Sequence, residues 1–328
     1  SDVCGAVTFS HNYTGLTDLC GATGSATVIF TATDDCGNNT STTAQFIIID
    51  TVDPSIDTAP QDETVECDGT GNDAQLQAWL TANGNAVATD DCGTITWTND
   101  YSTLSDDCGV TGTTSVIFTA TDDCGNVTTA SANFTIEDTN APDITTQATD
   151  LNLECDAVNQ DAAIQTWLTA NGNAIASDIC GSITWANDYA GLTDVCGETG
   201  TAIVIFTVTD DCGNASQTTA TVTVGDASAP DITANATDTT VECDGAGNTA
   251  ELNAWLSANA NAAATDDCGT VTWSNDFIAL SDDCGATGFA AVTFTATDDC
   301  GNASSTTATF IIVDNTPPTI DNEATDET

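Results

Sequence analysis

The groups in this sequence that could do chemistry are fifteen cysteines and fifty carboxylates, and they recur at fixed spacing. Thr-Ala-Thr-Asp-Asp-Cys-Gly-Asn begins at Thr31, Thr119 and Thr295, and again at Thr207 with Val208 in place of Ala; each copy lies 88 residues after the last. The other cysteines keep the same step, as Cys4, Cys92, Cys180, Cys268, then Cys20, Cys108, Cys196, Cys284, then Cys67, Cys155, Cys243. Thiols in such a framework form either disulfides or zinc sites. Zinc is disfavoured because no Cys-x-x-Cys spacing occurs and His11 stands alone. Regular cysteines therefore point to disulfides and an oxidising compartment.

The carboxylates carry the second chemistry. The chain has no Lys and no Arg, and its formal charge is −50. No Lys or Arg side chain is present to offset neighbouring carboxylates, which leaves hydrogen bonds, water or bound cations. Nucleic-acid backbones are excluded as partners, since no basic side chain can displace their counterions. Acidic disorder is excluded by the 40% hydrophobic content and its periodic arrangement. Catalysis finds no footing. A repeat without His cannot assemble a Ser-His-Asp or Cys-His set. Paired carboxylates such as Asp90-Asp91 recur in turns, without the two contrasting environments an acid–base pair needs.

The elements that position these groups follow from the period. Pro54, Pro142, Pro230 and Pro318 mark the joints. They give units at 54–141, 142–229 and 230–317, with 1–53 as the back part of a repeat and 318–328 as the start of another. The chain reads as a window on a longer array. Within 54–141, a short strand at Glu63–Glu66 precedes Leu76, Trp79 and Leu80, whose i, i+3, i+4 spacing is one face of a helix. Asn72 or Asp73 can cap its start, and Asn83-Gly84 can end it. Alternating strands follow around Trp97, around Val116, Phe118 and Ala120, and around Ala132, Phe134 and Ile136. The fold class expected is all-β with one short inserted helix per repeat, as tandem immunoglobulin-like antiparallel sandwiches.

That topology assigns ends. The first strand runs down to Cys67; the chain then rises to Cys92, descends to Cys108, rises to Cys124 and descends to the exit. Same-end cysteines are those that can bridge. The expected pairs are Cys67–Cys108, Cys92–Cys124, Cys155–Cys196, Cys180–Cys212, Cys243–Cys284, Cys268–Cys300 and Cys4–Cys36, with Cys20 unpaired. The top turn also falls beside the incoming linker. Three oxygen-rich Ca²⁺ sites are therefore expected. The first gathers Asp50, Asp53, Asp122, Asp123 and Asn126; the second Asp138, Asp143, Asp210, Asp211 and Asn214; the third Asp226, Asp231, Asp298, Asp299 and Asn302.

Ala-Thr-Asp-Asp-Cys-Gly-Asn, a Thr-rich strand and then Asp-x-x-x-Pro resemble hyalin-repeat and bacterial Ig-like modules, and most closely the repeats of Bacteroidota gliding adhesins of the SprB type. The Asp-x-x-x-Pro joint also looks like the calcium-rigidified joints of cadherins and bacterial adhesins. The resemblance implies a non-enzymatic stalk or filament on the bacterial cell surface, exported by the type IX route and partnered by neighbouring repeats. The alternatives are a self-assembling extracellular fibre with lateral contacts between like chains, and a carbohydrate-binding array using the Trp residues to stack on surface glycans.

Overall fold

The computed structural model describes residues 1–155, 159–283 and 285–321. They form two units. The first comprises Ser1–Asp143 with the tips Ser177–Thr184 and Thr209–Ala215; the second comprises Ile144–Ala176, Trp185–Val208 and the chain from Ser216 onward.

In the first unit, Gly112–Thr121 alternates buried Val116, Phe118 and Ala120 with side chains facing out, the pattern of a strand with one face on a core. It lies between Val127–Glu137 and Thr96–Asn99, antiparallel to both. Glu63–Glu66 adds to the far edge of Val127–Glu137 but runs parallel to it, so the four-stranded sheet departs from the purely antiparallel expectation at one pair. The opposite layer is a two-stranded ribbon, Ser55–Thr58 with Val87–Thr89, together with the helix Asp73–Thr81. The fold is a β-sandwich with one short helix, repeated in tandem.

The helix covers the sheet as its spacing requires. Leu76, Trp79 and Leu80 are its buried residues, and the Trp79 ring lies 5.2 Å from Phe118 and 5.4 Å from Phe134. The Trp79 indole N–H donates to the Gln61 carbonyl at 3.0 Å. Asn72 occupies the N-cap position at φ 53° but makes no side-chain capping bond to the helix; its side chain ties the preceding loop instead, accepting from Asp68 N–H and donating to the Glu66 carbonyl. The helix ends as expected, in a tight turn with Asn83 and Gly84 both at positive φ.

Phe30 and Phe46, one period before Phe118 and Phe134, are 42% and 58% exposed, against 0% for their counterparts.

The second unit repeats these elements. Its sheets have the orders Leu151–Glu154, Ala215–Gly225, Gly200–Asp210, Ile183–Asn187 and Thr239–Glu242, Ala303–Val313, Gly288–Thr297, Thr272–Asn275. Helices Gln160–Thr169 and Thr249–Ser257 bury Trp167 and Trp255 against Phe206 and Phe294.

Candidate functional site: disulfides and carboxylate pairs at the joints

A strand that stops at Glu137 and resumes at Asp143 leaves a short linker, so the lower loops of one repeat meet the upper turns of the next. The backbone shows the meeting. Val110 N–H donates to the Cys180 carbonyl at 2.9 Å, Ala22 to Cys92 at 2.7 Å and Glu198 to Cys268 at 2.9 Å. Gly109, at φ +58°, permits this approach: a Cβ there would stand 1.9 Å from the Cys180 carbonyl oxygen.

The disulfides follow the same meeting and correct the expected pairing. The bonds are Cys20–Cys124, Cys67–Cys180, Cys108–Cys212, Cys155–Cys268 and Cys196–Cys300, with Cα separations of 5.1–6.0 Å. Cys67 and Cys108 do not bridge each other. Each reaches an upper turn of the following repeat, at Cys180 and Cys212. Cys155 and Cys196 do the same with Cys268 and Cys300, in place of the pairs Cys155–Cys196, Cys180–Cys212 and Cys268–Cys300. Cys20, expected unpaired, takes Cys124 and leaves Cys92 as a thiol; Cys4 and Cys36 are exposed thiols rather than a pair. Cys243 is a thiol among the described residues, and its expected partner Cys284 lies outside them. The physical reason is that abutting ends of successive repeats satisfy the same distance criterion as one end of a single sandwich.

The expected cation ligands divide into two groups. Those of the upper turn are spent within the protein. Asp122 Oδ1 accepts from Cys124 and Asn126 N–H, and its Oδ2 accepts from the Asn126 amide. Asp210 with Asn214 and Asp298 with Asn302 repeat this closed turn. Asp123, Asp211 and Asp299 accept both N–H and O–H from Thr94, Ser182 and Thr270. Turn and linker do meet, but through amides: Asn214 and Asn302 donate to the carbonyls of Asp138 and Asp226. Asp143 and Asp231 begin edge strands, and Asp53 lines a cavity of about 250 Å³ with Asp50, Asp90 and Cys92.

The linker carboxylates face a different partner. Asp50 lies with Asp90, Asp138 with Asp178 and Asp226 with Asp266, each pair beside a cysteine sulfur, with the candidate ligand atoms within 4.8 Å of one another. In each pair one oxygen of each carboxylate holds a local backbone N–H, as Asp226 holds Ser228 and Asp266 holds Cys268. The second oxygens of Asp50 and Asp226 are buried with no hydrogen-bond partner. Cys180 and Cys268 are in disulfides, and burial together with Asp50 and Asp90 pushes the Cys92 thiol pKa up. The clusters are thus oxygen sites. Asp90, Asp178 and Asp266 were missed as partners of the linker, although their Asp-x-Cys turns recur with the period and were placed at the same end.

The carboxyl groups titrate in opposite directions. Backbone donation from Thr94 and Ser182, followed by their hydroxyls, lowers Asp123 and Asp211. Burial, reinforced by neighbouring carboxylates, raises Asp138 and Asp226. A raised carboxyl pKa leaves the native state with more bound protons than the unfolded one above the ordinary range, so stability falls as pH rises through that window. A lowered one contributes stability that is lost as pH falls below about 4. In chelator, the melting temperature is therefore expected to peak at mildly acidic pH. Melts from pH 3 to 8 that rise steadily to neutrality would contradict this.

No known family profile matches the chain, and no curated protein matches it. Among solved structures, the protocadherin GammaB4 extracellular domain shares 14% identity over 88% of this chain and 54% of its own, with a TM-score of 0.30. A protocadherin gammaB7 EC3-6 cis-dimer structure shares 11% over 92% and 93%, with a TM-score of 0.29. Drosophila N-cadherin EC1-4 shares 10% over 96% and 94%, with a TM-score of 0.25. This chain spans about half the length of the first of these. Scores this low carry no inference about it.

Proposed function

We propose that the chain is a structural segment of an extracellular surface adhesin, a stalk or filament of tandem repeats framed at 54–141, 142–229 and 230–317. The observation that carries this reading is that successive repeats are joined by disulfides across their joints. Such bonds persist only in oxidising surroundings, and joining neighbours serves a protein whose work is to hold position. The absence of Lys and Arg, which removes every tryptic site, suits exposure outside a cell. The motif resemblance supports a bacterial surface and, within it, the gliding-adhesin type. Glycan-array binding by the chain would favour a lectin instead.

Ca²⁺ fits the joints. The donor set is hard oxygen, two of its oxygens are buried without partners, and no Lys or Arg is present to balance it. Asp50 with Asp90, Asp138 with Asp178, and Asp226 with Asp266 would hold the ion, which would supply stiffness at the joint rather than catalysis. Removing Ca²⁺ is expected to change the maximum dimension in solution scattering. Asp138→Asn with Asp226→Asn should abolish most of the heat of Ca²⁺ binding while leaving the chelated protein folded. Identical scattering in chelator and in millimolar Ca²⁺, with no heat of binding, would remove the ion from the proposal.

A further inference from the structure

We infer that tension along this chain is carried by a relay of disulfides and single central strands, and that most of the polypeptide, including every Trp helix, lies off the load line. The inference rests on the disulfide pairing and is independent of the cation sites.

The shortest covalent route through the molecule does not follow the backbone. From residue 1 it runs to Cys20 and crosses to Cys124. It then goes backward about 16 residues to Cys108 and crosses to Cys212. It goes backward again to Cys196, crosses to Cys300 and continues to the end. Each 88-residue step is thus spanned by one disulfide and about 16 residues of chain.

Those residues are already extended. Between Cys108 and Cys124 lies the strand Gly112–Thr121, and between Cys196 and Cys212 lies Gly200–Asp210. Each is an inner strand of its sheet, paired on both sides: the first with Val127–Glu137 and Thr96–Asn99, the second between Ala215–Gly225 and Ile183–Asn187. Pulling on the two ends of an extended, doubly paired strand releases almost no length. Helices Asp73–Thr81, Gln160–Thr169 and Thr249–Ser257 fall in the loops the disulfides short-circuit. Cys67–Cys180 and Cys155–Cys268 form a second relay, so every backbone bond between Cys67 and Cys268 is spanned by at least two bridges. A single backbone cut there leaves the chain in one covalent piece.

The test is single-molecule stretching of the whole chain from its two ends. At about 3.4 Å per residue, the relay of about 80 residues limits the oxidised chain to roughly 280 Å, whereas the reduced chain reaches roughly 1,100 Å. Cys196→Ser breaks one relay step and leaves a shortest route of about 110 residues through Cys20–Cys124 and Cys155–Cys268, so it is expected to raise the oxidised limit to roughly 380 Å, a gain of about one third. Pairing within repeats would instead set a limit near 600 Å. A wild-type oxidised limit at or above that value, or a Cys196→Ser limit equal to wild type, would overturn the inference. These limits depend on connectivity, so they hold whether or not the modules unfold first.

Discussion

An isolated fragment of residues 54–141 is expected to show the same unfolding midpoint with and without reductant, while the whole chain loses several kcal/mol on reduction. Cys67, Cys92, Cys108 and Cys124 all lie in that fragment, yet none pairs with another member of the set. In the whole chain the bridges close spans of 104 and 113 residues. For loops of that size the chain-entropy estimate is about 4.7 kcal/mol per bridge. Interleaved loops share part of their entropy, so the five bridges together contribute less than five times that value. The double variant Cys108→Ser with Cys212→Ser isolates one bridge and is expected to cost about 4 kcal/mol, read from denaturant midpoints under oxidising conditions. Reductant-dependent stability in the isolated fragment would show that pairs form inside the repeat after all.

The second large effect is expected at the helix. Trp79→Ala should cost about 3–5 kcal/mol, the range for emptying a buried aromatic site. Trp79 is 3% exposed, and its ring closes over Phe118 and Phe134. Its loss also leaves the Gln61 carbonyl without the indole donor. The variant is expected to keep its strands, whose ladder does not run through the helix, while Phe118 and Phe134 gain solvent. Near-ultraviolet dichroism and amide exchange along Asp73–Thr81 and Gly112–Thr121 would report both effects. Unchanged stability would mean that the helix is not part of the core.

Much of this architecture is written in single-repeat patterns. Alternation around Phe118 and Phe134 gives the strands, and the Leu76, Trp79, Leu80 spacing gives the helix, because burial of one face imposes those periods. The strand ends at which the cysteines sit are legible for the same reason. The pairing is not. An 88-residue translation maps Cys92 onto Cys180, so a bond from Cys67 to either uses identical residues, and only the abutment of repeats decides between them. The signals were the short linker and the glycine after Cys108, whose missing Cβ makes room for the next repeat's backbone. The expected cation ligands differ among themselves in a way the sequence hides. Asp122 and Asp50 look alike in sequence. Asp122 spends both oxygens closing its own turn, whereas Asp50 keeps one free to face Asp90.

The most direct measurement is complete Glu-specific digestion of the oxidised chain in denaturant, with free thiols blocked, followed by intact-mass analysis. Cleavage after the glutamates yields, among others, residues 1–63, 67–137, 155–198, 199–242 and 252–323. The bridges that join successive repeats hold these five as a single disulfide-linked species and release 138–154 and 243–251. Bridges inside each repeat would instead give 1–63 and 67–137 as separate masses, with 155–198 bound only to 199–242. The five-chain species is the expected result, and separate masses would contradict it.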